Sequence, residues 1–159
     1  MNWLDFSTRT VLVVGGSSGI GNGIAQAFRA QGAQVHVWGT RASAEDYADN
    51  PDSDLSGLHY SQVDVADFDA LAQHQPAFEH LDVLVLAQGT VMYQRAEYEL
   101  ANFQHVMAVN LASIMACCNK FEAMLSDSQG AIVTVSSTAA FLATPGNPAS
   151  NASKAGAVG

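Results

Sequence analysis

The stretch TVLVVGGSSGIG, Thr10 to Gly21, restricts the fold more than any other part of the chain. Thr10 to Val14 is a continuous β-branched and aliphatic run, the pattern of a strand buried on both faces. Glycines interrupt it at once. From Ile20 to Gln31 apolar residues return at helical spacing, and Ile20, Ile24, Ala27 and Phe28 are expected to face inward. A strand that passes through a glycine turn into a helix opens a parallel crossover unit. Glycine permits positive φ and close backbone approach to a ligand, and a helix start offers N–H donors suited to phosphate. A glycine-rich turn without a ligand is the other reading of the same residues.

The alternation of strand and helix continues. AQVHVWG (33–39) reads as a second strand, followed by an acidic, loop-rich region from Ser43 to Gly57 with one helical turn expected around Glu45 to Ala48. LHYSQVD (58–64) gives a third strand, Phe68 to Phe78 a helix, and LDVLVLA, Leu81 to Ala87, a central strand. Leu100 to Leu125 carries apolar residues at helical spacing, with Phe103, Met107, Asn110, Leu111, Ile114, Met115 and Phe121 expected on its inner side. AIVTVSS, Ala131 to Ser137, is a fifth strand. The fold class that follows is α/β: a doubly wound parallel sheet, Rossmann-like, with helices on both faces in one domain spanning 1–159. The fifth strand belongs at or near a sheet edge, yet it is as apolar as an internal strand, and edges are normally blunted by charge, proline or cover. The expectation is therefore a sheet incomplete after that strand, in a fragment or truncated product.

Charge narrows the partners. Six basic residues against fifteen acidic ones give a net charge of -9, which argues against nucleic acid or an anionic membrane. A phosphorylated cofactor stays open, because backbone N–H groups need no lysine to hold phosphate. Cys117 and Cys118 are adjacent in an apolar helical pattern, a poor staple and not a zinc spacing, so no metal site is expected. They read as buried inert thiols, with reactive cysteines as the alternative. MNWLDFSTRT lacks a basic region followed by a long apolar run, and no window of 18 uncharged apolar residues suggests a membrane span. A soluble, cytoplasmic protein is expected.

The spacing of GGSSGIG is Gly, three residues, Gly, one residue, Gly, and here the chain resembles the short-chain dehydrogenase/reductase family, whose signature is TGxxxGIG. Val14 stands where threonine is usual. The resemblance covers essentially the entire chain and implies an NAD(P)-binding oxidoreductase, with Gly15, Ser17, Ser18, Gly19, Ile20 and Gly21 around the cofactor. The family's NAD-selecting carboxylate at the end of the second strand is absent from Trp38–Gly39–Thr40–Arg41. Arg41 can instead neutralise a ribose phosphate, which favours NADP over NAD; a solvated surface arginine is the competing view. Asp64 and Val65 match the adenine-contacting pair, and Asp64 also reads as a helix cap for ADFDAL. In LDVLVLAQG, Leu86, Ala87 and Gln88 replace the family's Asn, Asn and Ala, while Gly89 remains; backbone contacts from Ala87 and Gly89 to the cofactor stay available.

The resemblance implies hydride transfer between nicotinamide C4 and a carbonyl or alcohol carbon of a small molecule. A tyrosine, of intrinsic pKa about 10 and lowered by a lysine ammonium, exchanges the proton. A serine orients the substrate oxygen, and an asparagine holds a water that links the lysine to solvent. Asn110, Ser137 and Lys154 match those places, with Ser136 competing for the serine and a structural role competing for Asn110. Position 150, four residues before Lys154 and thirteen after Ser137, should be tyrosine and is Ser150. Serine is far less acidic than a phenol and its oxygen lies nearer the backbone, so activity is in doubt. Tyr93 is the tyrosine nearest the substrate side. The alternatives are a catalytically inactive nucleotide-binding scaffold or regulatory partner, or a non-functional fragment. The family's long helix also implies a homo-oligomer.

Overall fold

The computed structural model describes residues 4–159; residues 1–3, part of the N-terminal stretch read for a signal-like run, lie outside the described residues. Five parallel strands form one open sheet: β1 (Thr10–Val14), β2 (Gln34–Gly39), β3 (His59–Gln62), β4 (Val83–Leu86) and β5 (Ala131–Thr134), in the order β3-β2-β1-β4-β5. In β1 the register sets Val14 opposite Trp38 on one side and Leu86 on the other. The order reverses direction between β1 and β4, and this switch point is where an open α/β sheet leaves a crevice at its strands' carboxyl ends.

Alternation along β1 feeds two cores. Leu12 and Val14 join Trp38, Leu84, Leu86, Cys117 and Phe121 on one face. Val11 and Val13 join Val35, Val37, Val85 and Ala25 on the other. Both faces are filled, so the central strands read as unbroken apolar runs. Phe121 is fully buried, and truncating it to alanine is expected to cost about 3–5 kcal/mol.

The helices are α1 (Gly19–Ala30), α2 (Phe68–Gln73), α3 (Leu100–Met107), α4 (Ser113–Ser128) and α5 (Pro148–Gly156), with a π-helical turn at Ala108–Ala112 joining α3 to α4. Several expectations are corrected. In α1 the buried positions are Gly21, Asn22 and Ala25; Ile20 and Ala27 point outward. The helix expected to reach Phe78 ends at Gln73, since His74 adopts an extended backbone (φ -59, ψ 127) and Pro76 disfavours helix at the residue before it. Its cap is Asp67, whose Oδ1 accepts from the Ala70 N–H at 3.0 Å, while Asp64 Oδ1 accepts from the Ala66 N–H in a tight turn of its own. Met115 is exposed, and the face turned inward carries Val106, Asn110, Ser113, Cys117, Phe121 and Leu125.

Leu100–Ser128 is continuous helix with a mean hydropathy of 1.2 in its most apolar window, so by length and composition it is long and apolar enough to cross a membrane. That differs from the sequence expectation; in this fold the stretch lays Cys117 and Phe121 against the sheet. β5 is an edge strand, as expected, and despite its internal-strand composition Ile132 and Val133 are 49% and 46% exposed.

Candidate active site

At the carboxyl ends of β1 and β4 lies a cleft of about 550 Å³. Gly15, Ser17, Ser18, Ile20 and Gly21 form one wall, and Asp64, Val65, Ala87 and Gly89 contribute the other. Two glycines are demanded by geometry. Gly15 has φ +74, and a Cβ there would lie 2.7 Å from the Gln88 backbone. A Cβ on Gly21 would run into the Gly15 carbonyl. The turn is therefore pressed against the β4 terminus, and Ser18, Ile20 and Gly21 bring the start of α1, where a helix leaves N–H groups without intrahelical acceptors, to the cleft. Gly19 (φ +57) shapes the turn without lining the cleft, and its N–H donates to the Asp52 carbonyl at 2.7 Å. Asn22 braces the turn from behind, donating to the carbonyls of Gly16 at 3.1 Å and Asp54 at 2.8 Å.

Thr40 lines the cleft and Arg41 does not. The Arg41 guanidinium rests on the Tyr47 ring, 4.5 Å from its centroid, and donates to the Asp46 carbonyl. Gln88, read only as a lost family alanine, is buried; its Nε2 donates to Ser113 Oγ at 2.8 Å, and its Oε1 has no hydrogen-bond partner among the described residues.

A second cavity, about 640 Å³, adjoins the first through Gly89 and Thr90, which line both. It brings together Asn110, Ser137, Ser150 and Lys154 with Tyr93 and Asn147. Ser137 sits just beyond β5, accepting from the Ala139 N–H at 3.1 Å. Ser136, the competing serine, turns its hydroxyl to the Lys154 carbonyl at 3.3 Å and does not line the cavity. Lys154 Nζ donates to the Val135 carbonyl at 3.1 Å, and burial pulls its ammonium below the usual lysine pKa. Lys154 belongs to this cavity rather than to the first.

Asn110 lies in the π-helical turn, a distortion often found at functional sites. Its Oδ1 accepts from the Thr90 N–H at 2.7 Å, and its Nδ2 donates to the Thr90 carbonyl at 2.9 Å and to Ser153 Oγ at 3.2 Å. Ser150 is nearly buried, and its hydroxyl donates to Glu97 Oε1 at 2.6 Å. Glu97 is a residue the sequence did not single out. The thiols of Cys117 and Cys118 are both raised, that of Cys117 to about 12, chiefly by burial. Among the described residues no group of three or more His, Cys, Asp or Glu is arranged to hold a metal ion.

Residues 9–159 match the family profile described as short chain dehydrogenase. The 3-oxoacyl-[acyl-carrier-protein] reductase FabG of Chlamydia trachomatis is 31% identical over 162 residues, covering 95% of this chain and 64% of its own. The D-threitol dehydrogenase of Mycolicibacterium smegmatis is 32% identical, covering 95% of this chain and 61% of its own. A crystal structure of an NAD(P)-dependent gluconate 5-dehydrogenase candidate from Beutenbergia cavernae, with NADP bound at low occupancy, superposes with a TM-score of 0.81 at 29% identity, covering 98% of this chain and 64% of that one. The chain thus spans somewhat less than two thirds of the length of these relatives. With the glycine turn at the sheet's switch point and a profile match along nearly its whole length, this chain belongs to the short-chain dehydrogenase family.

Proposed function

We propose that this chain binds NADP(H) in the 550 Å³ cleft and belongs to an oxidoreductase of small carbonyl or alcohol compounds whose proton-transfer step is impaired. The observation that carries the reading is the junction at Gly89 and Thr90, where the cleft beside the glycine turn adjoins the cavity lined by Ser137, Ser150 and Lys154. The residues fit the cofactor: Gly15 and Gly21 leave no room for a side chain where the turn meets β4, and the α1 start offers donors to a pyrophosphate. Bound there, the nicotinamide supplies a hydride or accepts one.

The chain's own residues divide the remaining work. Ser137 orients a substrate oxygen, and Lys154 gives the pocket a positive charge. Asn110 fixes the Thr90 backbone at the junction. NADP is favoured over NAD because no carboxylate stands in Trp38–Gly39–Thr40–Arg41 at the end of β2, and the Arg41 guanidinium, stacked on the Tyr47 ring, is the cation of that segment. NADP at low occupancy in the Beutenbergia cavernae relative supports the same choice. The apolar face carrying Met107, Leu111 and Met115 borders an open groove of about 740 Å³, which supports a homo-oligomer.

A second reading, cofactor binding without turnover in a scaffold or regulatory chain, is favoured by the bond that ties the Ser150 hydroxyl to Glu97. Titration of NADPH by fluorescence tests the shared part of both readings. Saturable binding is expected, with NADH weaker; no binding up to millimolar NADPH removes both. Single-turnover mixing of the NADPH-loaded protein with a panel of ketones and aldehydes separates them, since a scaffold oxidises no cofactor.

A further inference from the structure

Glu97 lies outside every motif, in a 3-10 turn at Ala96–Tyr98, and it is fully buried (0% exposed). Four donors converge on its carboxylate. Oε1 receives Ser150 Oγ at 2.6 Å, the Met92 N–H at 3.2 Å and Asn147 Nδ2 at 3.3 Å. Oε2 receives the Ser150 N–H at 2.9 Å. Burial by itself works to raise the carboxyl pKa, but the hydrogen bonds from Ser150, Met92 and Asn147 outweigh it and hold the group below its usual range. Oε2 thereby also caps the first turn of α5, taking the N–H of Ser150 where no intrahelical acceptor is available.

An ionised carboxylate only accepts. The Ser150 hydroxyl proton is therefore committed to Oε1, and its oxygen is left with lone pairs for the cavity that Ser150 lines. Elsewhere in the same cavity the chain offers protons. Lys154 Nζ carries three and spends one on the Val135 carbonyl, while Ser137 Oγ accepts from Ala139 and keeps its own. The pocket thus presents an acceptor at position 150 and donors at 137 and 154. A ketone oxygen has no proton to give Ser150; a secondary alcohol both donates and accepts.

Resting on the proposed reading of the two cavities, we infer that the Glu97–Ser150 pair is a fixed hydrogen-bond acceptor that selects a ligand bringing a hydroxyl to this point over the matching carbonyl compound. Ser150 makes the contact and Glu97 is the positioning residue behind it. The substrate class that fits is a secondary alcohol or polyol.

The test uses the full chain saturated with NADP⁺, with cyclohexanol and cyclohexanone as probes followed by saturation-transfer NMR. Cyclohexanol is expected to bind roughly ten-fold more tightly, the scale of one charge-supported hydrogen bond. Ser150→Ala removes the acceptor and keeps the main-chain bond to Glu97 Oε2. It should bring the alcohol down to the affinity of the ketone and leave the ketone and NADPH unmoved, whereas a purely structural role for Ser150 would weaken both probes together. Glu97→Gln, whose amide can donate to Ser150 Oγ and release the hydroxyl proton, should erase or invert the preference. That amide also faces other donors, so Ser150→Ala carries the test alone if the glutamine variant does not fold. Equal affinities, a preference for the ketone, a preference that survives Ser150→Ala, or binding of neither probe each overturns the inference while leaving the NADPH result standing. Failure to bind NADPH overturns the cofactor reading and this inference with it.

Discussion

Asn110 grips both main-chain polar groups of Thr90, accepting from its N–H at 2.7 Å and donating to its carbonyl at 2.9 Å. A side-chain amide used this way mimics a neighbouring strand, and it prolongs the order of β4 into the loop where the two cavities meet. Its third bond, to Ser153 Oγ at 3.2 Å, reaches α5 one residue before Lys154. One buried amide therefore ties together the β4 terminus, the π-helical turn and the helix of the lysine. Asn110→Leu keeps the branched outline of the side chain but strands the Thr90 N–H and carbonyl. An unmet buried group costs about 1–3 kcal/mol and Thr90 is only half-buried, so for the two groups urea unfolding should show a loss toward the lower end of that scale, about 2–4 kcal/mol in all. NADPH affinity should fall in the same variant, since Thr90 lines the cleft.

Arg41 is held by a cation–π contact with Tyr47 and a hydrogen bond to the Asp46 carbonyl. A ribose phosphate at Thr40 would draw it away, exchanging those contacts for charge-assisted bonds. Arg41→Ala should therefore weaken NADPH binding roughly ten-fold or more and leave NADH nearly unchanged. Equal losses for the two cofactors, measured by fluorescence titration, would show that the arginine does not read the phosphate.

The strands were legible because burial on both sheet faces writes an unbroken aliphatic run, and Val11–Val14 and Val83–Leu86 carry one each. The glycine turn was legible because its glycines fall at a fixed short spacing between a strand and a helix, although what requires Gly15, the Gln88 backbone, comes from a distant part of the chain. Helix faces were read less well. Met115, expected inward, is exposed, and Val106 and Ser113 are buried without having been singled out, while Asn110, Phe121 and the Cys117 thiol are buried as expected; the π turn at Ala108–Ala112 interrupts the regular period on which such a projection relies. Glu97 was invisible for another reason. It is one acid among many in an acidic chain, and its partner is 53 residues away, so only the folded path of α5 reveals the pair.

Ser150→Tyr tests whether the missing phenol limits turnover. The phenol would extend from α5 into the 640 Å³ cavity that already holds Ser137 and Lys154. The Ser150 Oγ bond to Glu97 is lost, while the main-chain bond at 2.9 Å remains available. A positioned general acid contributes roughly 10²–10⁴-fold, so carbonyl reduction with NADPH should rise by about two orders of magnitude or more across a ketone panel. An unchanged rate, in a variant that still binds NADPH, would place the proton source elsewhere.

His36 supplies a prediction for stability against pH. It is buried in β2, stacked on His59 at 4.7 Å between ring centroids and packed against Phe78 at 4.8 Å. Burial, and then the nearby His59, lower its pKa from 6.5 to about 4. The unfolded chain therefore takes up a proton near pH 6.5 that the folded chain refuses until about pH 4. Between those values the unfolded state binds more protons, so stability is fully present above the unfolded pKa and falls as the pH drops through the window. Each unit of pKa difference corresponds to about 1.4 kcal/mol. Denaturant midpoints should decline steadily from pH 7 to pH 4, and His36→Phe should flatten that decline. A decline of equal slope in the variant would assign the acid sensitivity to other groups.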